Sequence, residues 1–197
     1  MDSRDKLIRQ LRGAYSGELA AGYAYRGHWH SVRDAAACER IRTIEAEEWH
    51  HRDLVGAMLR DLGARPNRVR EVIFYCIGKT VAAFCHVGGW FAPIYGAGKL
   101  ERYNIVEYED AAVYAAACGH EELIDCLLTM AEVEWEHEKF FRGLIVGHWM
   151  LRWFKLWEAP PPKEEIRRHR QKGSDPSPQL GTSSAVATSV PRRSTRG

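Results

Sequence analysis

The chain has 197 residues, 45% of them hydrophobic, enough for one domain with a sizeable core plus a tail. The net charge of +2 conceals eight Lys/Arg against three acids from Ala159 onward, which leaves +5 there and −3 on the rest; a mildly acidic body excludes the basic surface of a nucleic-acid binder. Five cysteines without a Cys-x-x-Cys read as reduced thiols of a cytoplasmic protein, and the charged start MDSRDKLIRQLRG has no signal-like apolar region.

The periodicity predicts a first helix over 4–32, with the stripe Leu7, Leu11, Ala14, Glu18, Ala21, Tyr25, His28. One glutamate, Glu18, stands at a core position of that stripe. Asp34 is an N-cap for a second helix over 35–62, stopped by Gly63 and Pro66. Its stripe Ala37, Ile41, Ile44, Glu48, His51, Val55, Met58, Leu62 carries Glu-x-x-His at its centre. A second such pair, Glu47-x-x-His50, points about 100° off that stripe. His28 and His30 read as surface residues or supporting groups.

Residues 69–97 are apolar, and no Asp, Glu, Lys or Arg occurs from Thr80 to Ala97. Lys79, His86, Gly88, Gly89 and Pro93 argue against a continuous membrane span. The segment reads as one or two short helices that cover the bundle as a crossover or lie on a membrane surface.

A third helix is expected over 99–118, ended by Gly119, and a fourth from 121 as far as Trp157. The fourth has the stripe Leu123, Leu127, Met130, Glu134, His137, Phe141, Leu144, again with Glu-x-x-His at its centre. Its far end, 146–158, brings Trp149, Trp153 and Trp157 to one helical face beside Arg152 and Lys155. That pattern suits a membrane interface, core packing or a contact with a second copy. Residues 159–197, rich in Ser, Pro, Thr and Arg, read as a disordered tail behind a bundle domain of residues 1–158.

The order Glu, then Tyr seven residues later, then Glu-x-x-His occurs twice: Glu18, Tyr25, Glu48, His51, and Glu107, Tyr114, Glu134, His137. The expected fold is therefore all-α, a pseudo-two-fold antiparallel four-helix bundle with an apolar helical crossover between its second and third helices. Glu107 is chosen because its level along the third helix matches that of Glu134, and it shares a face with Leu100, Asn104, Ala111 and Tyr114. Glu101 is the alternative. An ionised carboxylate buried alone costs several kcal/mol, and a metal ion removes that cost. One Glu from each of two helices and a Glu-x-x-His from each of the other two form the ligand set of dinuclear carboxylate bundles. The candidate ligands are Glu18, Glu48, His51, Glu107, Glu134 and His137. Four carboxylates balance two divalent ions, and oxygen donors with two imidazoles suit iron or manganese. No phosphate-binding loop or nucleophile elbow competes with this reading.

At these residues the chain resembles the ferritin-like di-iron superfamily. Gly17-Glu18-x-x-Ala21-x-x-x-Tyr25-x-Gly27, Val106-Glu107 with Tyr114, and Glu134-Trp-Glu-His137 are similar to motifs of the demethoxyubiquinone hydroxylase family over roughly residues 7–145. The resemblance implies a ferritin-like bundle holding two iron ions, with Glu48 and Glu134 bridging them and Glu18 and Glu107 terminal. It implies an O₂-dependent monooxygenase that hydroxylates a ubiquinone-type quinol precursor on the inner face of the cell membrane. Gly119-His-Glu-Glu and Glu134-x-x-His-Glu-Lys also look like rubrerythrins, which makes a peroxidase or iron oxidase the alternative. A homodimer is compatible with either reading.

Overall fold

The computed structural model describes residues 2–173, and every regular element among them is helical. Helix α1 spans Ser3–Ser31 and α2 spans Ala35–Asp61. The Asp34 side chain accepts a hydrogen bond from the Ala37 N–H at 2.8 Å, which makes it the expected N-cap of α2. Helix α3 spans Arg68–Val87, α4 Phe91–Ala117 and α5 Glu121–Ile145. A 3₁₀ turn follows at Trp149–Arg152, then a short helix α6 at Lys163–Gly173.

Helix α1 packs against α2, α3 and α4, while α4 packs most extensively on α5. The core is divided along the bundle axis. One apolar cluster holds Leu7, Leu11, Val55, Met58, Ile105, Leu127 and Met130; the other holds Ala21, Tyr25, Ile41, Ile44, Ile94, Phe141 and Ile145. On each of α1, α2, α4 and α5 the residues between these clusters are the buried polar ones: Glu18, Glu48 with His51, Glu101, and Glu134 with His137. Apolar layers above and below exclude water, so this layer has a low dielectric and any uncompensated charge in it is expensive.

Helix α3 lies outside this core, along α1. The two approach closely because small residues face each other. A Cβ on Gly27 would stand 2.4 Å from Ala82 Cα, and one on Gly78 2.7 Å from the Ala20 carbonyl oxygen. Glu71 accepts a hydrogen bond from Ser16 Oγ on α1 at 2.6 Å and pairs with Arg52 on α2, fixing the rotation of α3. Its outward face remains apolar, with Val69, Val72, Ile73, Ile77, Val81 and Phe84 exposed. No helix among the described residues is long and apolar enough to cross a membrane.

Three expected boundaries shift. The charge-free run over 80–97 belongs to two elements, because Gly89, at φ +72°, breaks the chain between α3 and α4. Phe91, Ile94 and Gly98 then form the buried start of α4, and Gly98 packs on Phe141 and Trp157. Burial at this end of the bundle thus accounts for their apolar character. Helix α5 stops at Ile145 rather than at Trp157, since Gly147 takes φ +84°. Trp149, Trp153 and Trp157 therefore share no helical stripe: the first two are 61% and 72% exposed, whereas Trp157 donates from Nε1 to Glu138 Oε1 at 2.6 Å.

The third shift concerns the tail. Residues 163–173 are helical, and α6 returns along α5. Lys163 pairs with Glu136, Arg167 with Asp125 and Glu132, and Ile166 is buried. The disorder expected beyond residue 173 lies outside the described residues.

Candidate metal centre

Each ligand candidate owes its position to its helix stripe. Residues 3 or 4 apart face the same way, so a Glu that interrupts a run of Leu, Ile and Ala on the core side is carried inward with them. This places Glu18, Glu48, His51, Glu134 and His137 in the buried layer, as their stripes require. It also decides the fourth helix. The buried face of α4 is Ile94, Gly98, Glu101, Ile105, Tyr108, Ala112, Ala115, and Glu101 lies on it. Glu107 does not. It is half-buried on the flank of α4, where a Cβ on Gly13 would meet its Oε1 at 3.1 Å and the Arg70 guanidinium at 3.6 Å. Burial raises its carboxyl to about 7 despite the nearby Arg70. Level along the helix favours Glu107, but azimuth excludes it, since one residue turns a side chain by about 100°.

Two overlapping groups result, each able to hold a metal ion. In the first, Glu18, Glu48, His51 and Glu134 present ligand atoms that all lie within 4.8 Å of one another. In the second, Glu48, Glu101, Glu134 and His137 meet the same limit. Glu48 and Glu134 belong to both.

The internal repeat survives with its register corrected. Glu101 and Tyr108 are seven apart, as are Glu18 and Tyr25. The tyrosines cross over: the Tyr25 hydroxyl donates to Glu101, and the Tyr108 hydroxyl donates to Glu18. Each half of the chain thus orients the lone glutamate of the other. Tyr114, the tyrosine of the repeat read from the sequence, packs instead at the border of the first apolar cluster.

Polar compensation in this layer is uneven. Glu134 receives His51 Nδ1 at 3.0 Å on one oxygen and His137 Nδ1 at 3.3 Å on the other. Burial alone would raise its carboxyl, but these two imidazoles hold it well below the usual carboxylate range. Burial likewise opposes the charge on both histidines, and the Glu134 hydrogen bond outweighs it, raising His51 and, more strongly, His137. Glu48 has less help. It is fully buried, and neither of its oxygens has a hydrogen-bond partner; His137 Nδ1 stands 3.2 Å from Oε1 without hydrogen-bond geometry. Glu18 Oε2 is also unpartnered. Burial and the neighbouring Glu134 and Glu101 push Glu48 up to about 7, and Glu18 and Glu101 are raised further, chiefly by burial.

The two other buried glutamates make the contrast. Glu45 is held by Arg26, Trp29 and Trp49, and Glu138 by Arg142 and Trp157. Structural burial of a carboxylate in this fold comes with an arginine and indole N–H donors. Glu48 has neither, and its bare oxygens fit a cation better than any protein donor within reach.

Two contacts escape the sequence reading. His137 presents Nε2 to Glu47 Oε2 at 2.7 Å, and Glu47 is itself paired with Arg40 at 3.0 Å. Glu47 thus orients the imidazole whose Nδ1 faces the carboxylates, the usual support for a metal-ligating histidine. Its side-on position in the Glu47-x-x-His50 pair suits that role, while His50 is exposed. Glu47→Ala should leave every ligand in place yet weaken metal affinity roughly 10–100-fold, as read by competition with a chelator of known affinity. His28, which reads from the sequence as a surface residue or a supporting group, is only 3% exposed and stacks on Tyr25 and Phe141. Its place on the α1 stripe predicts this burial.

All five cysteines are free, in keeping with reduced thiols. No protein-family model, curated protein or solved structure matches the chain.

Proposed function

We propose that this chain is a ferritin-like dinuclear oxidoreductase that binds two iron ions through Glu18, Glu48, His51, Glu101, Glu134 and His137. The observation that carries this reading is the sharing of Glu48 and Glu134 between the two ligand groups. One ion needs one set of ligands; two overlapping sets with common carboxylates suit a bridged pair. Manganese meets the same donors, and the metal content of the purified protein distinguishes the two.

Ferrous iron held by these residues would supply the electrons that reduce O₂. The chain's own residues do the rest. Glu134 and the two histidines are already gathered in the layer, where the imidazoles hydrogen-bond to Glu134 and would release those protons to bind metal. Tyr108 engages one oxygen of Glu18 and leaves the other unpartnered for a metal ion, whereas Glu101 is held on one oxygen by Tyr25 and on the other by Asn104 Nδ2 at 2.9 Å, a contact it would give up or share on binding. The flanking apolar clusters exclude bulk water from the reacting groups.

Within this class, hydroxylation of a ubiquinone-type quinol ring is the reading we favour. Its support is the resemblance of the Glu18 and Glu134 segments, together with the apolar outer face of α3, which suits an enzyme that meets a lipid-soluble substrate at a membrane surface. The test is oxygen uptake by the ferrous-loaded protein with and without a short-chain demethoxyubiquinol, followed by product analysis. Quinol-dependent uptake with a hydroxylated ring supports the hydroxylase. Uptake indifferent to quinol, or faster with peroxide, moves the function to an iron oxidase or rubrerythrin-like peroxidase.

A further inference from the structure

The α1–α2 turn and the α3–α4 turn enclose a cavity of about 510 Å³ at the end of the bundle nearest Tyr25. That volume lies in the range of small-molecule sites, roughly 300–1,000 Å³. Val32, Cys85, Trp90 and Pro93 give it apolar walls, His28, Ser31 and His86 supply polar groups, and Arg33 and Asp34, of opposite charge, also line it. The Ser31 hydroxyl is already used, donating to the His28 carbonyl oxygen at 2.7 Å. The His28 ring is not: among the described residues no hydrogen bond or ion pair engages its nitrogens. A buried imidazole with no protein partner, set in the wall of a cavity, is an unfilled hydrogen-bonding position.

His28 also links the cavity to the carboxylate layer. Its ring is stacked with Tyr25 at 6.3 Å and 16° and with Phe141 at 6.0 Å and 10°. Tyr25 in turn donates its hydroxyl to Glu101. A molecule seated against His28 would therefore be separated from the candidate ligands by one aromatic layer.

We propose that this cavity binds an uncharged ring carrying a hydroxyl or carbonyl group, with His28 as its hydrogen-bonding partner. Burial pushes His28 down to about 4, so at neutral pH the imidazole is uncharged and offers one donor and one acceptor. A hydroxyl can pair with either ring nitrogen, accepting from the N–H or donating to the other, whereas the uncharged imidazole gives an ion no counter-charge. The aliphatic, thiol and indole walls accommodate the body of the ring. The assignment of this ring as a substrate or electron donor rests on the oxidoreductase reading; its binding does not.

The test uses the full chain, stripped of metal, with 4-methylphenol as probe and 1,4-dimethylbenzene, in which a methyl replaces the hydroxyl, as comparator. Binding is read by calorimetry and by the His28 ring resonances. 4-Methylphenol should bind saturably, at least about tenfold more tightly than the hydrocarbon, and shift the His28 signals. His28→Phe should weaken it at least about tenfold and abolish the preference for the hydroxyl, with helical content and metal loading unchanged. Val32→Trp, which fills the cavity from its wall and leaves His28 in place, should block both probes. Absence of saturable binding, or equal affinity in wild type and both variants, overturns the proposal. Metal loading without probe binding refutes the cavity alone; probe binding without metal loading refutes the dinuclear reading alone.

Discussion

Glu48→Met should remove both metal ions and at the same time make the metal-free protein more stable than the metal-free wild type. Glu48 is the fully buried carboxyl with both oxygens unpartnered, crowded by Glu134 and Glu101. Methionine has similar volume and no charge to desolvate, and at pH 8 the rise of Glu48 from 4.5 to about 7 corresponds to roughly 3 kcal/mol of destabilisation that the variant lacks. A gain of that order at pH 8, measured by urea unfolding in the presence of a chelator, is the expected outcome. A residue retained at a cost in stability is the usual mark of a functional site. Should the variant lose stability without metal, or keep its metal, Glu48 is a structural group and the site reading fails.

The second large effect is on the pH dependence of the metal-free wild type. Glu48 is raised from its ordinary value of 4.5 to about 7, and Glu18 and Glu101 are raised as well. A raised carboxyl contributes stability below its unfolded value, near 4.5, and loses it as pH rises through the folded value. His51 and His137 are raised too, so the stability they contribute is present below 6.5 and is lost as pH climbs past their folded values. Glu134 is depressed, and its contribution fades only in acid, below this window. His28, lowered to about 4 by burial, opposes them by adding stability as pH rises to 6.5; above that the shifts agree in sign, so metal-free protein should weaken from pH 6.5 to pH 8. Between 4.5 and about 7, Glu48 alone accounts for roughly 3 kcal/mol at about 1.4 kcal/mol per unit. The metal-loaded protein should show the opposite trend, because protons compete with the ions for the same atoms. Urea midpoints at four pH values, with chelator and with iron, check both trends. A metal-free midpoint that is flat or rises above pH 6.5 contradicts the assigned electrostatics.

What the sequence made legible follows from periodicity. Helices α1, α2 and α5 carry long unbroken apolar stripes, so Glu18, Glu48, His51, Glu134 and His137 stand out as intrusions, and all five are buried together. Helix α4 is harder. Its first turns, Phe91 to Gly98, are apolar all round and merge with the end of α3 in sequence, which hides where the helix starts and so which face is inward. Without that anchor, level along the bundle and the face shared with Leu100, Asn104, Ala111 and Tyr114 both point to Glu107, although Leu100 on that face is exposed. The seven-residue Glu–Tyr spacing could have corrected this, since Glu101 and Tyr108 obey it as well as Glu107 and Tyr114 do. The crossing of the two tyrosines is a tertiary fact that no local pattern encodes. The return of α6 is similar: Lys163 and Arg167 read as tail charges until the acids Glu136, Asp125 and Glu132 on α5 are seen opposite them.

Metal stoichiometry is the most direct test of two ions in one buried layer. Protein reconstituted with ferrous iron in the absence of oxygen, desalted and assayed for metal should hold about two irons per chain. Glu107→Ala should keep both, whereas Glu101→Ala should lose at least one. Less than about half an iron per chain, unchanged by Glu48→Met, would contradict the account.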